Sequence, residues 1–265
     1  MAVPIALTIA GSDSSGGAGI QADLKTFAAL GVYGASVITA LTAQNTKGVA
    51  AIHDVPADFI AAQIDAVFAD LDVGAVKIGM LGSAAAAGAV AAGLDRHRPR
   101  HVVLDPVLVA STGADLLPAE AMDGLRSLMP RVDVVTPNLF EAATLLDAPL
   151  ARDEDAMRAQ AQKLLAFGAG AVLIKGGHSG GADSVDLLVE ADGCVRFTAP
   201  RIATKNTHGT GCTLSAAVAA GLAKGLALNA AVREAKAYVS AAIAAADRVK
   251  IGAGNGPVHH FYKWW

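Results

Sequence analysis

The chain has 265 residues, 53% hydrophobic and 17% charged, with aromatics at only 5%, a formal net charge of −3 and two cysteines. That is ample material for a large core of Ala, Val, Leu and Ile, and the slightly negative balance argues against a basic nucleic-acid face. With no Cys-x-x-Cys and no His/Cys cluster at zinc spacing, the expectation is a cytosolic chain with reduced thiols.

Residues 4–10, PIALTIA, read as a first strand, and the N-terminal stretch shows neither a basic region nor a signal cleavage site. A glycine-rich loop follows, then a helix over 20–30. Lys25 and Lys47 bracket a charge-free run long enough to suggest a membrane span. Gly31 and Gly34 break it, and Thr39, Thr42, Gln44, Asn45 and Thr46 fill its second half with polar groups. It reads as a helix end, a turn and a buried strand over 36–43.

Residues 56–71 start with Pro and carry Phe59, Ile60, Ile64, Val67, Phe68 and Leu71 at helical spacing. Further strands are predicted at 75–81, 101–107, 132–138 and 171–177. An Ala-rich helix follows the first of these, and helices are expected near 118–129 and 153–167. Residues 184–199 break the alternation and read as a hairpin turning at Asp192-Gly193. Two helices, 211–225 and 229–247, close the chain.

Strands alternating with helices imply one domain over 1–265, an α/β fold of three layers: a mostly parallel central sheet between helices, with a small β-hairpin. In such sheets ligands bind beyond the carboxyl ends of the strands. The polar and glycine residues at the strand ends are therefore the candidates for function.

The first is the loop 11–19, with four glycines in nine residues. It has neither the Gly-Lys-Ser/Thr of a P-loop nor a dinucleotide fingerprint. A tight turn accounts for some of these glycines, and close backbone approach to a ligand accounts for the density. Asp23, early in the next helix, either caps helical amides or meets a substrate hydroxyl. Gln44 ends a strand, and its amide offers a donor beside an acceptor, which suits an aminopyrimidine edge.

Asp105 ends one strand, while Asn138 and Glu141 span the end of another and the start of a helix. They suit Mg²⁺, which takes oxygen ligands with substrate phosphates. Equally, Asn138 and Glu141 have the spacing of a helix capping box. Lys175, beside two glycines and His178, suits phosphate contact as a point charge. In NTHGTGC (206–212), Thr207 and Thr210 supply hydroxyls, and Gly209 and Gly211 let backbone amides converge at a helix start. That is an anion cradle of the kind phosphoryl transfer needs. Cys212 sits at its joint, and the helix terminus is expected to lower its thiol pKa.

The motifs TIAGSDSSGGAGIQADLKTFAALGVYG, ALTAQNTKGV, KIGML, TPNLFEA, KGGH, NTHGTGCTLSAA and GPVHHF, in this order, resemble the bacterial hydroxymethylpyrimidine/phosphomethylpyrimidine kinases of thiamine biosynthesis. The resemblance spans essentially the whole chain. It implies a ribokinase-like α/β/α sandwich and two Mg²⁺- and ATP-dependent steps. The first phosphorylates 4-amino-5-hydroxymethyl-2-methylpyrimidine, and the second converts its monophosphate to the diphosphate. It places Gln44 on the pyrimidine, and Gly11, Ala18, Asp23, Met80 and Val107 in the segments lining that pocket. It links Asn138 and Glu141 to Mg²⁺ and phosphate, and Lys175 to phosphate, while Asp105 stays a metal candidate from its strand-end position alone. Gly209 to Cys212 match the anion hole, with Thr207 and Thr210 beside it. Residues 106–117 correspond to a segment over the site.

Related sugar kinases carry Asp where this chain has Cys212, so the resemblance implies a thiol acting as general base. It also implies a cytoplasmic homodimer with no nucleic-acid or membrane partner. A pyridoxal or pyridoxine kinase of the same superfamily is the alternative. Some of those enzymes use a second cysteine in the covering segment, and 106–117 contains none.

Overall fold

The first strand, β1 (Ile5–Ala10), is apolar except for Thr8 and almost wholly buried, as a central strand flanked on both faces must be. The structure, a computed structural model, describes residues 3–108, 122–177 and 181–265. Among these, eight strands form one sheet in the order β10-β9-β8-β7-β6-β5-β1-β2. These are β2 (Tyr33–Ile38), β5 (Ala75–Ile78), β6 (Val102–Leu104), β7 (Val134–Val135), β8 (Ala171–Lys175), β9 (Asp183–Glu190) and β10 (Gly193–Pro200), with β1. From β2 to β8 every pairing is parallel; β9 and β10 extend the same sheet antiparallel.

Alternation along the strands divides the core in two. Leu7, Ile9, Val76, Ile78 and Leu104 face α2 (Ala57–Phe68), α3 (Ala84–His97), α4 (Met122–Leu128), α5 (Leu139–Leu146) and α6 (Glu154–Leu165). Ala6, Ala75 and Ala171 face α1 (Gly19–Ala29), α7 (Thr210–Ala223) and α8 (Leu228–Ala244). Small strand residues on this second face admit a small-residue helix: Ala216, Ala217, Ala219 and Ala220 of α7 are all buried. A helix apolar all round belongs inside. Its depth brings its N-terminus to the carboxyl ends of the strands.

The order also has a switch point. The chain leaves β1 for β2 on one side, then returns past β1 to β5 on the other. Loops diverging there open a crevice at the strand ends.

The expected strand over 36–43 is instead two strands. Thr39 turns the chain, its N–H donating to Ala10 O and its Oγ1 to Met80 O. Beyond it β3 (Ala40–Asn45) pairs antiparallel with β4 (Gly48–Asp54) in a separate two-stranded sheet, with a bulge between Ala43 and Gln44. β4 was not expected from the sequence: its apolar residues are few and mostly small, without the alternation that marks a half-buried strand, and most of them are exposed. The strand expected over 132–138 is only two residues long. Of the expected helix 118–129 and the covering segment 106–117, residues 109–121 lie outside the described residues, as does His178. Among the described residues, no helix is long and apolar enough to cross a membrane.

Candidate active site

The glycine-rich loop after β1 winds around a carboxylate. Oδ1 of Asp13 accepts the N–H and Oγ of Ser15 at 2.9 and 2.7 Å. Its Oδ2 accepts the N–H groups of Gly17 and Ala18 at 3.1 and 2.8 Å, and Nε2 of His208 at 2.7 Å. Burial would raise the Asp13 pKa, but these donors outweigh it and hold the carboxyl at about 2. Much of the loop's amide capacity is therefore spent inside the protein. The glycines answer to crowding: a Cβ at Gly19 would meet the Gly11 carbonyl, and one at Gly17 would overlap the His208 ring. The tight turn is present, and Gly11, Ala18 and Gly19 of the loop also line the cavity described next.

Opposite lies the start of α7. Its N-cap is Gly209 at φ +78°, a left-handed conformation that favours glycine. Thr210 closes the turn through its N–H and Oγ1, both donating to Thr207 O. The first turn of α7 thus presents its amides, and the positive end of the helix dipole, to a cavity of about 780 Å³.

With one exception, every candidate substrate, phosphate or metal residue named from the sequence lines that cavity: Gly11, Ala18, Gln44, Met80 and Val107, with Asp105, Asn138, Glu141 and Lys175, and the cradle itself. The exception is Asp23. It neither caps helical amides nor faces the cavity. It is fully buried, accepting from Thr8 Oγ1 at 2.6 Å and from Lys77 Nζ at 2.8 Å. The cause is Lys77, itself 0% exposed in strand β5, which needs a counter-charge. Burial would discharge Lys77, yet the charge of Asp23, with Cys212 and Asp105 beyond, keeps it cationic.

Gln44 accepts from Thr42 Oγ1 at 3.3 Å through its side-chain carbonyl. That contact orients the carboxamide and leaves the carbonyl a second lone pair beside its NH₂. Asn138 and Glu141 do form the capping box: Glu141 N–H donates to Asn138 Oδ1 at 2.8 Å, and Asn138 N–H to Glu141 Oε2 at 2.7 Å. The bland reading of that spacing is present, and so is the cavity position.

Lys175 Nζ lies 2.9 Å from Asp105 Oδ1 and 3.9 Å from Glu141 Oε2. Asp105 also accepts from Thr136 Oγ1 and Ser215 Oγ. Both its oxygens are engaged, so it acts here as the anchor of Lys175, not as the open metal ligand expected of it. Burial would raise the Asp105 pKa, but Lys175 and Lys77 outweigh that and hold it below the usual carboxylate range. Glu141 is left with a shared lysine. Burial lifts its pKa to about 7, with Lys175 opposing and Asp105 adding to the rise.

Cys212 departs from expectation in the same way. Its thiol is pushed up to about 11, foremost by burial, with Asp23 and Asp105 adding to Lys77's failure to offset it. A lowered pKa from the helix terminus does not emerge. The opposing carboxylates come from other elements, and the Gly19 N–H toward the sulfur only partly compensates. Cys194 is exposed and, like Cys212, a free thiol.

Three features escaped the sequence reading: the Asp13–His208 bridge, Lys77, and a strap formed by 254–260. In the strap, Thr46 accepts the Gly254 N–H through Oγ1 and the Asn255 N–H through its carbonyl oxygen. Gly256 N–H donates to Asn206 Oδ1, and His260 Nε2 lies 3.0 Å from Thr213 Oγ1. A lone Lys inside an apolar strand was the available signal for the buried pair.

Comparison with known proteins gives a consistent picture. The family described as Phosphomethylpyrimidine kinase matches residues 13–259. A hydroxymethylpyrimidine/phosphomethylpyrimidine kinase of Rhizobium meliloti is 60% identical over 262 residues, covering 98% of each chain. Among solved structures, a phosphomethylpyrimidine kinase of Clostridium difficile superposes with a TM-score of 0.80 at 43% identity, covering 90% of this chain and 99% of that one. A pyridoxal kinase of Staphylococcus aureus in complex with AMP-PCP and pyridoxal gives a TM-score of 0.91 at 32% identity, covering 100% and 96%.

Proposed function

This chain belongs to the phosphomethylpyrimidine kinase family, and on that premise we propose that it carries out both phosphorylations. ATP donates first to the hydroxymethyl group of 4-amino-5-hydroxymethyl-2-methylpyrimidine and then to the resulting monophosphate, in thiamine biosynthesis. The observation that carries this reading is one cavity lined both by Gln44 and by a lysine-backed amide cradle. The S. aureus pyridoxal kinase was in complex with AMP-PCP and pyridoxal together. The deciding experiment is ADP release with hydroxymethylpyrimidine, pyridoxine or pyridoxal as acceptor. A larger kcat/KM for pyridoxine would replace this reading with its alternative.

In this mechanism Gln44 pairs with the aminopyrimidine edge and orients the ring. The cradle amides at Gly209, Gly211 and Cys212 receive the transferring phosphoryl oxygens, with Lys175 as a point charge. Thr207 and Thr210 hold the turn in shape. The donor set also suits Mg²⁺. Glu141 shares Lys175 with Asp105, and burial raises its pKa, so a bound dication there would favour its carboxylate form. Glu141 is the better ligand, with Asn138 beside it and Asp105 behind Lys175. The ion, when bound with phosphates, would supply charge neutralisation there.

Cys212 starts as a thiol, so any proton it accepts must go to a rarely populated thiolate. The rate of the first phosphorylation should therefore climb with pH between about 6 and 9. In Cys212→Ala that alkaline limb should vanish, with kcat for the alcohol falling about 10²-fold or more and kcat for the monophosphate falling less. The monophosphate acceptor needs no strong base. Equal losses in the two steps would assign the thiol a purely geometric role.

The reading includes a cytoplasmic homodimer. Hairpin β3–β4 stands apart from the main sheet with Leu41 and Ile52 exposed, which supports association through this element. Sedimentation giving a monomer would remove it.

A further inference from the structure

The glycine-rich loop and the phosphate cradle lie 195 residues apart at their point of contact. Yet they touch closely enough that a Cβ on Gly209 would overlap the Gly17 carbonyl oxygen. One side-chain bridge crosses that contact, and it lines the reaction cavity from both sides. We propose that Asp13 and His208 are a positioning pair, which fixes the separation between the loop that carries the pyrimidine and the cradle that carries the phosphoryl group. This rests on the kinase reading above and adds residues to which that reading gives no part.

Four observations support it. Asp13 and His208 are 1% and 3% exposed, so the bridge is shielded from competing water. Asp13 stays ionised and can only accept, so the proton on Nε2 belongs to His208, which donates across the gap. The same Asp13 oxygen collects the Gly17 and Ala18 amides, so the shape of the loop and the bridge share one atom.

His208 is also held from behind. Its N–H donates to Gly256 O at 3.0 Å, and its carbonyl accepts the Val258 N–H at 3.3 Å. The strap that makes those bonds is tied to Thr46, two residues past Gln44. His208 is the residue just before Gly209, the N-cap of α7. Its ring is therefore joined to the substrate loop and its backbone to the strap, while its next neighbour shapes the cradle. A displacement of about 1 Å between reacting groups costs on the order of 10²-fold in rate, which is the scale such a bridge controls.

The test is steady-state kinetics with ATP and hydroxymethylpyrimidine on wild type, His208→Ala, His208→Gln and Asp13→Asn, each with a melting temperature. His208→Ala is expected to lower kcat about 10- to 100-fold while both KM values stay within about threefold. His208→Gln, which restores an N–H donor at similar reach, should recover kcat to within about fivefold of wild type. A stability role alone would move the melting temperature without this kcat–KM split or the Gln rescue.

The proposal is overturned if His208→Ala keeps wild-type kcat, if the loss falls on KM, or if Gln does no better than Ala. Should His208→Ala not fold, the same split is read from His208→Gln against Asp13→Asn, where Gln must stay the more active of the two. A wild type that shows no pyrimidine-dependent ADP release overturns the kinase reading itself, which is a different result from equal rates in wild type and variant.

Discussion

Gly209→Ala should reduce phosphoryl transfer about 10³-fold while the protein still folds. Two separate effects combine. Alanine is strained at φ +78°, by about 1–2 kcal/mol. The heavier effect is steric, because the new Cβ falls on the carbonyl oxygen of Gly17. That oxygen belongs to backbone in a loop pinned by Asp13, so it cannot swing aside as a side-chain tip would. The cradle must withdraw instead, and its amides leave the place where phosphoryl oxygens arrive. Loss of a single oxyanion donor already costs about 10²–10³-fold.

Gly225→Ala is the control. Gly225 has φ +83° but nothing within 4 Å of the added Cβ. It should show the conformational strain, a small drop in melting temperature, and near-normal kcat. If Gly209→Ala retains kcat within about tenfold of wild type, the cradle is not where the charge develops.

The second large effect is expected at Lys175. Lys175→Met leaves Asp105 and Glu141 buried with their shared cation gone. Removing one partner from a buried pair typically destabilises by about 3–5 kcal/mol. Both carboxyls should then hold protons at higher pH, so the variant should be least stable in alkali and recover as pH falls. Activity should fall on the order of 10³-fold, because the point charge facing the phosphates is lost as well. Stability and catalysis separate in the double variant Lys175→Met/Asp105→Asn. It should regain much of the melting temperature and none of the activity. A double variant that regains both would mean that Lys175 serves only the fold. Lys175→Arg should rescue poorly, since a planar fork does not replace a compact ammonium between two carboxylates.

What could be read in the sequence was what is local in the chain. The cradle was legible because glycines, threonines and the helix that orients them lie within seven residues, 206–212. The capping box at Asn138 and Glu141 was legible for the same reason, though spacing could not choose between cap and ligand. The parallel sheet followed from alternating apolar runs, and α7 from its unbroken small-residue pattern.

What was hidden was set by partners far along the chain. The charge state of Cys212 depends on Lys77 in β5, Asp23 in α1 and Asp105 after β6, none of which is near it in sequence. A helix terminus alone suggested a lowered pKa; burial and two distant carboxylates reversed it, against the charge of Lys77. Asp23 was left between a helix cap and a substrate contact because nothing nearby hinted at a lysine 54 residues away in need of an anion. Hairpin β3–β4 escaped because β3 runs on from β2 with one residue between them, and β4 is mostly exposed and carries no alternating pattern to detect.

The strap has a consequence for how the molecule comes into being. Gly256 is made 50 residues after Asn206, the cradle residue it binds. Synthesis runs from the N-terminus, and earlier segments begin to fold first. On the ribosome, then, the glycine turn of the cradle emerges before the segment that braces it has been translated. The strap also ties Thr46, two residues past Gln44, so both the cradle and the segment carrying Gln44 gain this brace only after residues 254–260 have been made.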